Sequence, residues 1–161
     1  MAFQLKPWIK AARLKTLPLA LSCTLTGTAL ALSKTSFNGL IFGLAVLTTV
    51  LLQVLSNFAN DYGDFRKGTD SRANRQDRAL ASGDITEVQM KKGLYLFSGL
   101  SFSSGVSLLL VSFNASELLF VGLMLIVGIC SIWAAIKYTA GKGAYGYRGL
   151  GDVFVLSLIH I

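Results

Sequence analysis

Apolar residues in this chain fall into long blocks rather than alternations, and polar residues collect in the gaps between them. Four blocks stand out, at residues 16–32, 37–58, 93–113 and 118–136, and a fifth begins near Val153. Each of the four reaches the roughly 20 residues that a hydrocarbon layer of about 30 Å demands, the first only just. Lipid offers backbone polar groups no water to bond, so these blocks are expected to be helices. The pattern predicts an all-α, polytopic transmembrane helix bundle with four complete spans and the start of a fifth. Small residues recur within the blocks at Gly27-Thr28-Ala29, Ser98-Gly99 and Ser103-Ser104-Gly105. Such positions let helices approach closely, which favours a packed bundle over separate anchors.

Composition agrees with this reading. Hydrophobic residues make up 53% of the chain and charged residues 14%, where a soluble domain carries about a quarter. Lys6, Lys10, Arg13 and Lys15 before the first block, and Ala29-Leu30-Ala31 at its end, imitate a signal peptide. The apolar blocks that follow favour a retained span instead. Cys23 and Cys130 lie inside blocks, where a thiol behaves as a small hydrophobe, and no disulfide or metal-ligand spacing is present. A Walker loop, a dinucleotide fingerprint and a Ser-His-Asp arrangement are likewise absent from the sequence.

The basic residues add an orientation. Of 15 Lys and Arg, four precede the first block, seven lie in 60–92 and three (Lys137, Lys142, Arg148) follow the fourth block. Only Lys34 lies in a connection on the other side. This bias predicts a cytoplasmic amino terminus and two cytoplasmic polar segments. The net charge of +7 then follows from membrane topology and phosphate binding, and nucleic acid is not required as a partner.

Candidate chemistry concentrates in residues 57–70. Asn57, Asn60, Asp61 and Asp64 fall within an arc of roughly 100° on a helix, and Asp70 follows a Gly-Thr turn. Ionisable groups at the edge of an apolar block usually mark function, and hard oxygen ligands in this number suit Mg²⁺. The plain alternative is a solvated acidic loop balanced by Arg66 and Lys67. Arg72, Arg75 and Arg78 follow, with the fork-shaped donors that a diphosphate needs. Arg72 and Arg75 fit a headgroup anchor equally well. The second polar segment, 137–152, interleaves five glycines with Tyr and Lys, a backbone-dense cationic lid able to approach a phosphate or a ring.

The run Asn-Asp-Tyr-Gly-Asp…Lys-Gly-Thr-Asp at 60–70, with Arg78…Ser82-Gly83, resembles the first aspartate-rich motif of the UbiA-type intramembrane prenyltransferases. Segments 8–18, 135–141 and 145–152 narrow the resemblance to the branch of that family serving menaquinone synthesis, and together they cover about 8–155. The resemblance implies a bundle of nine helices around a cavity in the bacterial inner membrane. It implies transfer of a polyprenyl group from polyprenyl diphosphate to 1,4-dihydroxy-2-naphthoate, with loss of CO₂, giving demethylmenaquinone. Carried onto this sequence, Asn57, Asn60, Asp61, Asp64 and Asp70 would hold Mg²⁺. Asp61, Asp64, Lys67 and Arg78 would carry the catalysis, with Lys67, Arg78, Lys137 and Tyr138 around the diphosphate.

The family's second aspartate-rich motif has no counterpart within residues 1–161. The expectation is therefore an N-terminal half of such a domain at 1–155, inactive by itself. Residues 156–161 depart from the family pattern and match the translation of a sequencing adapter, so they and His160 are expected to be non-native. Two alternatives stand beside this reading. One is a sister prenyltransferase with another aromatic acceptor; the other is a helical ion or solute transporter subunit, whose carboxylates sit near the bilayer midplane.

Overall fold

The structure, a computed structural model, describes residues 5–68 and 78–137, and every element among them is helical. Helix α1 is Leu5–Ala12, and a 3₁₀ turn at Leu14–Thr16 leads into α2, Leu17–Ala31. Helix α3 is Gly39–Lys67 and α4 is Glu87–Ser112; a second 3₁₀ turn, Ala115–Glu117, opens α5, Leu118–Lys137. The four apolar blocks thus become α2 to α5, and the all-α expectation holds. The start of a fifth block lies outside the described residues, as do the expected boundary at 155 and the tail beyond it.

Helix lengths differ from the apolar blocks in an instructive way. Helix α2 has 15 residues, about 22 Å at 1.5 Å per residue, which falls short of the hydrocarbon layer. Pro18 in its first turn fixes its start. Helix α3 instead outruns its block by nine residues, ending at Lys67 rather than Phe58. Hydropathy marks where lipid ends, but a helix continues until something stops it. Here the stop is Gly68, left-handed at φ 69°, the conformation a C-terminal cap requires and glycine adopts freely. At its other end the Asn38 side chain accepts from the Leu40 and Ile41 amides at 3.0 and 3.2 Å. Helix α4 likewise begins before its block, at a Thr86–Gln89 capping box. Both α3 and α4 are long and apolar enough to cross a membrane.

Helix α3 is the hub and touches α1, α2, α4 and α5. Hydroxyl pairs join it to its neighbours: Thr24 with Thr49 at 2.8 Å on α2, and Thr48 with Ser104 at 2.8 Å on α4. Leucines such as Leu19, Leu110 and Leu119 face outward, as a lipid solvent permits. The buried core gathers at one end of the bundle, around Leu55, Phe58, Ala59, Ala79, Leu80 and Met90. There the Phe58 ring sits between Trp8 and Phe97, with centroids 5.5 and 5.1 Å away.

The small residues singled out from the sequence do not all pack closely. A Cβ added at Gly27 or Gly99 would meet nothing within 4 Å. The tight approach is at Gly93, where a Cβ would lie 2.7 Å from Trp8 Cζ3. Gly93→Ala must therefore push Trp8 off Phe58 and is expected to cost about 1–3 kcal/mol. Gly99→Ala should be neutral or stabilise by up to about 1 kcal/mol through helix propensity. Thermal unfolding of both variants in detergent measures the contrast; equal midpoints would show that Trp8 is not wedged.

Candidate functional site

The end of the apolar stretch of α3 and the turns that follow it carry Asn57, Asn60, Asp61 and Asp64. The Asp61 side chain is 1% exposed and that of Asp64 16%, so a solvated acidic loop is excluded for this pair. Carboxylates here face a second difficulty, since the C-terminal end of a helix is the negative pole of its dipole. Arg78, itself nearly buried, answers both. Its Nη1 lies 3.7 Å from Asp61 Oδ1, and its Nη2 donates to Asp64 Oδ2 at 3.3 Å. The guanidinium fork thus spans the two acids, whose three-residue spacing puts them on one face.

Asn57 serves the architecture. Its amide Nδ2 donates to the Ala12 carbonyl at 2.8 Å and to Thr16 Oγ1 at 3.0 Å. Thr16 Oγ1 also accepts from Gln53 Nε2 at 3.1 Å and donates to the Arg13 carbonyl at 2.9 Å. Its one donor and two acceptor positions are then all used. This knot bolts the joint between α1 and α2 onto α3. It also holds Arg13 at φ 48°, ψ 59°, a left-handed conformation costing an L-residue roughly 1–2 kcal/mol.

A cavity of about 470 Å³ opens between this joint and the acids, lined by Ile9, Lys10, Arg13, Lys15, Asp61 and Arg78 among others. One wall therefore carries the Asp61 carboxyl beside Arg78, and the other is basic. Below it, Lys10 Nζ reaches Asp84 Oδ2 at 3.2 Å, and the Ser82 hydroxyl donates to the same oxygen at 2.7 Å. The Ser82 hydroxyl and then Lys10 hold the Asp84 carboxyl below its ordinary range. This clasp draws the segment after Arg78 against α1.

Other sequence candidates are placed elsewhere. Arg66 Nη1 pairs with Glu87 Oε1 at 2.9 Å, and Lys91 with the same oxygen at 3.2 Å, which ties α3 to the start of α4. Lys67 is exposed on the last turn of α3, and Lys137 is exposed at the end of α5. Asp70, Arg72, Arg75 and Tyr138 lie outside the described residues. Lys10, Arg13 and Lys15 were legible in the sequence only as topology signals, yet they line the cavity. Their crowding within residues 10–15, beside a proline, was the available clue.

The donor set bears on a metal. Among the described residues no group of three or more acidic, His or Cys side chains gathers. Two carboxylates do, and Mg²⁺ is commonly held by one or two carboxylates together with waters and substrate phosphates. The residues present therefore fit Mg²⁺ shared with a phosphate ligand better than a closed all-protein cage.

Comparison with known proteins places these features in context. The model of the UbiA prenyltransferase family matches residues 20–159. The chain is 49% identical over 158 residues to a 1,4-dihydroxy-2-naphthoate octaprenyltransferase of Haemophilus influenzae, covering 95% of this chain and 50% of that protein. It is 44% identical over 150 residues to the protein of the same name from Escherichia coli, covering 92% of this chain and 48% of that one. It is also 27% identical over 149 residues to a UbiA prenyltransferase domain-containing protein 1 of Dictyostelium discoideum, covering 91% of this chain and 44% of that protein. The chain thus spans about half the length of the curated relatives it matches. No solved structure matches it significantly.

The Asp61–Arg78 pair makes a separable prediction. Arg78→Met removes a guanidinium partner of the buried Asp61 carboxylate and is expected to destabilise by about 3–5 kcal/mol. Adding Asp61→Asn should recover part of that loss, with a coupling of about 1–3 kcal/mol. Denaturation of the two single variants and the double variant measures the coupling. Simple additivity would show that the two groups do not sense one another.

Proposed function

The chain belongs to the UbiA prenyltransferase family, and we propose that the Asp61–Asp64–Arg78 corner is where the whole protein binds the diphosphate of a polyprenyl donor through Mg²⁺. The acceptor in this reading is 1,4-dihydroxy-2-naphthoate, the substrate in the names of the relatives 44–49% identical to this chain. The observation that carries the reading is the Asp61 carboxylate, 1% exposed, on a cavity that Arg78 also lines.

Asp61 and Asp64, with Asn60 beside them and Asp70 beyond the described stretch, are the residues proposed to hold Mg²⁺. Asn57 belongs to this set through its Oδ1, since its Nδ2 is spent on the α1–α2 joint. When bound, the metal neutralises charge on phosphate oxygens as a Lewis acid. The chain's own cations act on the same charge. Ionisation breaks the allylic C–O bond, and the electron pair leaves on the diphosphate. Fixed positive groups stabilise that charge as it develops. Arg78 and Lys67 hold this role, with Lys137 and Tyr138 from the second polar segment. The electron-rich ring captures the allylic cation at the carboxylate-bearing carbon, and departure of CO₂ returns an electron pair to the ring. The walls keep water from intercepting the cation, for which Ile9, Leu14 and Ala79 are apolar surfaces.

The membrane setting follows from the helices. The chain is an integral membrane protein, and we place this corner on the cytoplasmic side of a bacterial inner membrane from the distribution of basic residues. A transporter reading expects carboxylates near the midplane. Asp61 and Asp64 lie within two turns of the end of a 29-residue helix, about 43 Å long, which favours a site at the membrane surface.

In the full-length protein, Asp61→Asn and Asp64→Asn are each expected to lower Mg²⁺-dependent prenyl transfer by about 100-fold or more. Membrane insertion should be unchanged. Product formation from radiolabelled donor in membranes measures this. Wild-type rates in either variant would remove the two aspartates from the site.

A further inference from the structure

The cavity's basic wall has a cation that the diphosphate site does not use. Arg78 is engaged with Asp61 and Asp64, Lys10 with Asp84, and Arg66 and Lys91 with Glu87. Arg13 differs. Its Nη2 is buried and has no hydrogen-bond partner among the described residues, although it lines the cavity. A buried guanidinium nitrogen without a partner is costly and marks a place where an acceptor is missing. Its backbone is fixed for the purpose: left-handed at φ 48° and bolted through Thr16 to Gln53 and Asn57 on α3.

We propose that Arg13 is the residue that binds the carboxylate of the aromatic acceptor, with Lys15 beside it. This rests on the prenyl-transfer reading above and extends it from the donor to the acceptor. Three observations favour a carboxylate on a ring over a second diphosphate contact. The cavity has two walls of different character, and its acidic wall already suits a metal-held diphosphate. Next to Arg13 the lining turns apolar at Ile9, Ala11 and Leu14, a surface for a flat ring and not for a hydrated phosphate. Finally, the volume of about 470 Å³ leaves room for a bicyclic ring beside a diphosphate. The guanidinium fork matches the two oxygens of a carboxylate. So held, the ring lies against the apolar lining, facing Asp61 and Arg78 across the cavity.

The test uses the full-length protein without metal or donor, and two fluorescent probes, 1-hydroxy-2-naphthoate and 1-naphthol, which differ by the carboxylate. Wild type is expected to bind the carboxylated probe at least about tenfold more tightly, as a charge-assisted contact implies. Arg13→Gln should erase that preference while leaving 1-naphthol binding within about twofold. Arg13→Lys, which keeps the charge and loses the fork, should weaken only the carboxylated probe, by about threefold or more. In steady state, Arg13→Lys should raise KM for the naphthoate and leave KM for the polyprenyl diphosphate unchanged. A wild type indifferent to the carboxylate overturns the proposal. So does equal weakening of both probes, or a KM effect confined to the diphosphate, which assigns Arg13 to the donor. Asp61→Asn should leave the probe preference intact, so failure of the metal–diphosphate reading and failure of this one are read separately.

Discussion

The Asp61 carboxyl lies out of water, near the negative end of a helix and beside the Arg78 guanidinium, and much of the described structure positions that guanidinium. At an effective dielectric near 20 the attraction over the 3.7 Å to Arg78 amounts to about 4 kcal/mol. Against it stand several kcal/mol of desolvation for each ion and roughly 0.3–1 kcal/mol from the helix dipole. Those costs match or exceed the attraction. A hydrophobic pair of the same volume would fold as well, so stability does not explain the arrangement. A compensated acid beside a cationic cavity has a ready use as a binding site for a metal-bound anion.

The surrounding elements each meet a requirement set by that pair. Helix α3 must run past the lipid boundary without a break, and it does so for nine residues until Gly68 stops it. Arg78 must return to α3 from a separate segment, and the Ser82–Asp84–Lys10 clasp holds that segment against α1. The α1–α2 joint must face the acids, and Asn57, Gln53 and Thr16 lock it there. The buried core gathers at this same end, with Trp8 seated on Gly93 and Phe58. Farther along the bundle, lipid replaces the core, and hydroxyl pairs such as Thr48–Ser104 supply the polar joints.

Block length and hydropathy made the four helices legible, because lipid demands long apolar runs. They did not mark the end of α3 or the start of α4, which run past their apolar blocks, because caps and glycines, not hydropathy, decide where helices stop. The spacing of Asn57, Asn60, Asp61 and Asp64 suits one face of a helix, and all four do lie on α3; that much requires only a periodicity. The identity of their neighbours was not legible. Arg78 lies 14 residues from Asp64, and Lys10, Arg13 and Lys15 lie more than 40 residues before them, so no local pattern links them. Asn57 shows the limit most clearly. A carboxamide on the acidic face reads as a ligand through its oxygen, and the commitment of its Nδ2 to the Ala12 carbonyl has no sequence signal. Glycines at Gly27 and Gly99 suggested tight packing, and the tight contact is at Gly93 because an indole from α1 lands there.

The central claim is that the acids of α3 and Arg78 form one site for a metal-bound diphosphate. Calorimetric titration of the full-length protein with inorganic pyrophosphate, in the presence and absence of Mg²⁺, tests it most directly. The account predicts binding that requires both components, each tightening the other. Pyrophosphate binding of equal affinity with and without Mg²⁺ would contradict it, because the acidic wall would then have no part in holding the ligand.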